Sequence, residues 1–165
     1  MRQLHTFGPV YDPSARILIL GSFPSERSRK EGFYYGHPSN RFWAVLASIL
    51  GRQKPETVVE KKRMLLEEGI ALWDVVKSCE ITGSSDSSIK NVIVNDIGSL
   101  LGRSNIKTIF ANGGTAFRLY RKYIQPITGM DIIRLPSTSP ANAGYSLQRL
   151  IQAWSLIKTE LEKNA

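Results

Sequence analysis

The sequence predicts an α/β protein, a three-layer α/β/α sandwich around a central, mostly parallel four-stranded sheet. Three observations predict it. Four short apolar runs lack clean alternation, as strands covered on both faces do. Helical patterns fall between those runs. Every unusual cluster of polar and aromatic residues follows one of the runs, on the edge where right-handed crossovers gather the strand C-termini.

The strand candidates are residues 17–20 (ILIL), 70–76 (IALWDVV), 108–111 (TIFA) and 132–135 (IIRL). The first helix candidate starts after Ser39, a capping residue type, and carries Phe42, Trp43, Leu46, Ile49 and Leu50 on one side. A second spans about residues 56–68, with Val59, Arg63 and Leu66 in register, and a third about residues 89–101. A fourth follows Gly113-Gly114, with Phe117, Tyr120 and Tyr123. The last, about residues 145–163, places Leu147, Leu150, Ile151, Trp154, Ile157 and Leu161 at i, i+3, i+4 spacing, the strongest periodic signal in the chain.

With 165 residues the chain is expected to form a single domain, residues 1–165. Lys and Arg number 22 against 14 acidic residues, a net +8 that favours a polyanionic partner. The single cysteine, Cys79, excludes a disulfide framework and fits a reducing cytoplasm. The two histidines, His5 and His37, stand far apart, so no metal site is expected. The N-terminus lacks the apolar core of a signal peptide, and no run is long enough to span a membrane. A cytoplasmic protein without membrane contact is expected.

Six segments could carry chemistry. Gly21-Ser22-Phe23-Pro24-Ser25 follows the first strand, and such a loop can hold a flat ring against Phe23 or serve as a plain turn. Tyr34 to Trp43 sets two tyrosines before a turn and Asn40 near a helix start. There an amide can orient water, hydrogen-bond a leaving base, or simply begin the helix. Asp74 ends an apolar strand, where a carboxylate is costly unless paired; it suits a ring N–H or a loop cap. Ser84, Ser85, Ser87 and Ser88 suit phosphate contacts or capping. Asn112-Gly113-Gly114-Thr115 is a weak anion turn, neither a dinucleotide fingerprint nor a P-loop. Ser137, Thr138 and Ser139, stiffened between Pro136 and Pro140, could grip a backbone while a base is extruded, or merely connect to the last helix.

Together these segments resemble the uracil-DNA glycosylase superfamily. HPSNRFW (37–43) looks like an element of its mismatch-specific uracil branch. GSFPS (21–25), YYGHPSNRFW (34–43), LWDVVKSCEITGSSDSSI (72–89), ANGGTAF (111–117) and LPSTSPANA (135–143), in that order, are closer to the hypoxanthine-DNA glycosylase branch. The resemblance spans about residues 16–157. It implies the same three-layer fold and a monofunctional glycosylase that removes a deaminated base, hypoxanthine foremost, from DNA.

Most branches carry a catalytic Asp or Asn two positions after the Gly that ends the first strand; Phe23 stands there instead. Phe can stack on a base but cannot activate water, so the ordinary uracil mechanism is not expected. The resemblance makes Asn40 the catalytic amide and Phe23, Ser22, Asp74 and Tyr35 the base pocket. Ser25, Ser87, Ser137, Thr138 and Ser139 become the DNA contacts. No cofactor is implied, the partner is DNA containing deaminated bases, and a monomer is expected. No lysine holds an obvious nucleophile position, so no lyase step is expected. The competing readings are a uracil or mismatch-specific glycosylase, a non-catalytic nucleic-acid-binding domain, and a nucleotide-binding enzyme using Gly113-Gly114.

Overall fold

The computed structural model describes residues 2–165. Its centre is a four-stranded, all-parallel sheet in the order β3 (Ile70–Asp74), β2 (Ile17–Gly21), β6 (Thr108–Asn112), β7 (Ile133–Leu135). Period-two side chains explain why β2 shows no alternation in sequence. Ile17 and Ile19 enter one core and Leu18 and Leu20 the other, all fully buried. The first core holds α2 (Phe42–Leu50), α3 (Val58–Glu68), α7 (Leu147–Trp154) and α8 (Leu156–Lys163). The second holds α4 (Ile97–Gly102) and α5 (Gly114–Tyr123), the latter followed by the short α6 (Gln125–Thr128). The three-layer α/β/α architecture predicted from the runs is therefore the observed one.

Helix ends follow local chemistry. Thr57 caps α3 by accepting from the Glu60 N–H, and Ser146 caps α7 by accepting from the Arg149 N–H. At α2 the expected Ser39 cap is not formed. Asn40 Oδ1 accepts the Phe42 N–H (2.9 Å) instead, which places that amide, not Ser39, at the helix mouth. A short helix, α1 (Glu26–Glu31), was not expected; Ser25 caps it and Gly32, at φ 73°, ends it. The long final helix is broken in two at Ser155.

The larger difference lies between residues 70 and 101. The apolar run 70–76 splits at Val75, and β4 (Val76–Glu80) leaves the parallel sheet. The expected helix over 89–101 is a strand, β5 (Lys90–Val94), followed by the short α4. β-Branched Val92, Ile93 and Val94 favour extension, and β4 is within reach as an antiparallel partner. With β1 (Arg2–Leu4) these strands make a second, antiparallel sheet, β1-β4-β5. Asn95 locks the junction by donating its amide to Asp74 O (2.9 Å) and Val76 O (3.3 Å). No helix among the described residues is long and apolar enough to cross a membrane.

Candidate active site

Parallel register sets the strand ends level, with Gly21 opposite Asp74 and Asn112 opposite Leu135. The loops leaving that edge enclose a cleft of about 980 Å³, room for a nucleotide rather than a base alone. Each candidate base-pocket, catalytic and DNA-contact residue from the sequence lines it.

Asn40 sits between two strand ends. Its Oδ1 accepts the Phe42 N–H (2.9 Å) and the Thr138 hydroxyl (2.9 Å). Thr138 Oγ1 in turn accepts from Asn112 Nδ2 (3.0 Å), and Asn112 Oδ1 accepts the Thr138 N–H (3.0 Å). A backbone N–H can only donate, so the Asn40 oxygen is fixed as the acceptor. Both of its lone pairs are engaged. Its Nδ2 has no partner among the described residues and remains to donate to whatever enters the cleft.

Thr138 is fully buried and faces Asn40 and Asn112. It was expected among the DNA contacts. Its side chain is buried, with the small hydroxyl held between the two amides. Thr138→Val keeps the shape but leaves Asn112 Nδ2 without its acceptor. The variant is expected to lose about 1–3 kcal/mol of stability. Urea denaturation measures it, and an unchanged midpoint would show the network to be energetically silent.

Arg41 holds the same loop in place. Its guanidinium donates to Ser139 O (3.0 Å), Asn142 O (3.1 Å) and the Tyr145 carbonyl, and its backbone N–H donates to Thr138 O (3.1 Å). Trp154 Nε1–H donates to Pro136 O (2.9 Å) from the opposite side. Ser137 Oγ accepts the Ser139 N–H and Ser139 Oγ the Ala141 N–H, so both hydroxyls stiffen the loop at the cleft rim.

The opposite wall is built from the tyrosine turn and the ends of β2 and β3. Tyr35 adopts φ 52°, unusual for a non-glycine residue. Its ring stacks on Phe42 at 4.2 Å, and its hydroxyl is buried without a hydrogen-bond partner. Burial first, and the charge of Asp74 second, hold the Tyr34 and Tyr35 hydroxyls far above the ordinary phenol range. Tyr35 thus stays a neutral hydroxyl; the Asn112 side chain lies close enough to oppose the shift but forms no hydrogen bond with it, which leaves the hydroxyl available for ligand recognition.

Asp74 is buried beside it, bonded at Oδ2 to His5 Nε2 (2.8 Å). Phe23 is buried with the Arg29 guanidinium over its ring at 5.2 Å. Ser22 donates to Asp86 Oδ1 (2.7 Å). The Asp86 carboxyl is pushed above its ordinary value, first by burial. Asp74 adds to that effect, and the Ser22 hydrogen bond and Arg118 oppose it. Ser25 is engaged as the α1 cap, and Ser87 lies on the exposed turn bonded to Ser85.

Sequence reasoning named Asn112 only within a weak anion turn and missed the roles of Arg41, Asp86, His5 and Arg134. Asn112 ends its strand as Asp74 does, a signal that was available. Arg134, a lone cation within an apolar run, was another. His5 carried none, since 69 residues separate it from Asp74. Among the described residues no group of three potential ligands is arranged to hold a metal.

Residues 9–158 match the family model of the Uracil DNA glycosylase superfamily. The chain is 36% identical over 145 residues to the Hypoxanthine DNA glycosylase of Methanosarcina acetivorans, covering 87% of this chain and 90% of that protein. It is 38% identical over 109 residues to the Hypoxanthine DNA glycosylase of Methanosarcina barkeri, covering 65% and 69%. A protein of Methanosarcina acetivorans solved by solution NMR, assigned as a candidate uracil DNA glycosylase, superposes with a TM-score of 0.83 at 33% identity, over 98% of this chain and 99% of that one. The fold, the level strand ends with their shared cleft, and these matches over most of the chain agree: the chain belongs to the uracil DNA glycosylase superfamily.

Proposed function

We propose that this chain is a monofunctional DNA-deoxyinosine glycosylase. It flips a deaminated purine, hypoxanthine foremost, out of DNA and hydrolyses its N-glycosidic bond to leave an abasic site. It works as a cytoplasmic monomer of one domain. The relatives named for hypoxanthine support the substrate. The observation that carries the chemistry is the fixed amide of Asn40, with its oxygen saturated by Phe42 and Thr138 and its Nδ2 free.

When an N-glycosidic bond breaks, the base leaves with the bonding electron pair and the sugar is left cationic. A donor placed beforehand against the base stabilises that charge where it develops. Of the two roles expected for Asn40, its saturated oxygen favours assisting the departing base over activating water. Phe23 stacks on the flipped ring. Asp74 accepts from the N1–H of hypoxanthine, where adenine offers only a lone pair. Tyr35 meets the same base with its unpartnered hydroxyl. Extrusion costs a few kcal/mol, less at a mispaired base, so opening the duplex is itself selective.

The loop of Ser137 and Ser139, with Ser25 and Ser87, lies along the rim where backbone phosphates pass. Arg134 joins them. A Cβ on Gly114, at the mouth of α5, would lie 2.7 Å from its Nη2, so the guanidinium rests over a helix N-terminus. Arg134→Ala is expected to weaken binding to any duplex and to lower the salt slope by about one. Fluorescence anisotropy at several salt concentrations measures this; an unchanged slope would remove Arg134 from the interface.

The test of the function is single-turnover cleavage of labelled oligonucleotides carrying one deoxyinosine, deoxyuridine, deoxyxanthosine or normal base, followed by alkali. Cutting at deoxyinosine is expected. Cutting at deoxyuridine alone would overturn the hypoxanthine reading, and binding without cutting any lesion would make the chain a binding domain.

A further inference from the structure

The second sheet is separate from the parallel one, yet it delivers one side chain to the carboxylate at the cleft wall. β1 runs antiparallel to β4, with Arg2 opposite Glu80 and Leu4 opposite Ser78. Arg2 pins it by donating to Ser78 Oγ (3.2 Å) and Asn91 O (2.6 Å). The ladder extends one residue further, where the His5 N–H donates to Lys77 O (2.8 Å). That register aims the imidazole at Asp74. Nε2 lies 2.8 Å from Oδ2, and the two side chains are 2% and 4% exposed. The ring is wedged among Phe7, Tyr34 and Phe23, with centroids at 4.6, 5.9 and 6.2 Å.

His5 is the one hydrogen-bond partner of the Asp74 carboxylate among the described residues. Tyr34 and Tyr35 from the turn before α2 and Asp86 from the serine-rich loop lie within electrostatic reach of the Asp74 carboxylate. Asp74 Oδ1, by contrast, makes no hydrogen bond. It lies beside Gly21 at the cleft wall, on the same side of that backbone as the Tyr35 hydroxyl.

We propose that His5 is a positioning residue for base recognition: it clamps Oδ2 of Asp74 so that Oδ1 stands as a fixed acceptor for the ring N–H of the flipped base. This rests on the reading of Asp74 as the base acceptor. A carboxylate held at one oxygen cannot swing away. Without the clamp, a buried carboxylate left unpaired turns towards other donors. That movement removes the acceptor that the base must meet. The antiparallel sheet thus has a task beyond packing Val76 and Cys79 into the second core.

Deoxyinosine excision under single-turnover conditions tests this, with thermal unfolding measured alongside. His5→Phe keeps the aromatic packing and removes the donor. It is expected to slow excision about 10- to 100-fold, as the loss of a hydrogen bond to a charged group does. His5→Gln carries a donor at comparable reach and is expected to restore most of the rate, which a purely structural role would not produce. Adding His5→Phe to Asp74→Ala is expected to cost little more than Asp74→Ala alone.

A folded His5→Phe protein that cuts at the wild-type rate overturns the inference while leaving the deoxyinosine reading intact. So do additive losses in the double variant. If His5→Phe unfolds, His5→Asn takes its place, since its shorter amide stays polar but falls short of Asp74. Equal rates for His5→Asn and His5→Gln then overturn the inference. A wild-type protein inactive on deoxyinosine overturns the reading and the inference together.

Discussion

Asn40→Ala is expected to slow deoxyinosine excision about 10²- to 10³-fold, the range for losing one donor aimed at developing charge. Asn40→Asp is expected to fall at least as far. Aspartate still offers an oxygen to the Phe42 N–H and the Thr138 hydroxyl, so the helix mouth and the hydroxyl network keep their geometry. What it lacks is the Nδ2 donor, and it brings a negative charge towards a base that is itself becoming negative. The pair of variants therefore separates the two roles open to this amide. If the amide served to draw a proton from water, aspartate would do that at least as well and Asn40→Asp would stay active. Single-turnover rates decide between these outcomes, with duplex binding measured in parallel. Affinity for DNA is expected to be retained in the alanine variant, because the basic surface supplies most of it.

Gly21→Ala is expected to remove excision almost completely and to cost about 1–3 kcal/mol of stability. The cause is space alone, since Gly21 does not adopt a positive φ. Parallel register puts Gly21 directly opposite Asp74 at the last rung of the β2–β3 ladder. A Cβ there would collide with Asp74 Oδ1 and lie 2.8 Å from the Tyr35 hydroxyl. Those are the two polar atoms proposed to read the base, and both are held too firmly to yield cheaply. Tyr35 is stacked on Phe42, and Asp74 is bonded to His5. Chemical denaturation and the same excision assay measure the two effects. An alanine variant that folds and cuts normally would show that the base does not approach this corner of the cleft.

The strands of the central sheet were legible because burial on both faces leaves a strong local mark. Residues 17–20 and 108–111 lie within β2 and β6, each of which ends one residue later, at Gly21 and Asn112. The region around residues 70–101 was not legible in this way. Val92, Ile93 and Val94 favour extension, but a run of three is too short to set a strand against a helix. Only β4 lying alongside, itself released from β3 at Val75, makes the extended form the better hydrogen-bonded one.

The site divides along the same line. The sequence by itself determined the fold class, the edge on which the cleft lies and the residue types gathered there, because strand ends and loop chemistry are local in the chain. It placed Asn40 at a helix start and Asp74 at a strand end. Tertiary structure alone decided what those two groups can do. The oxygen of Asn40 is occupied by Thr138, 98 residues away. The hydroxyl of Thr138 is buried between Asn40 and Asn112. One oxygen of Asp74 is held by His5 from the first strand of a sheet no pattern foretold. Hydrogen bonds between distant segments fix which lone pair or N–H remains free, and the chemistry depends on that remainder. No periodicity along the chain encodes it.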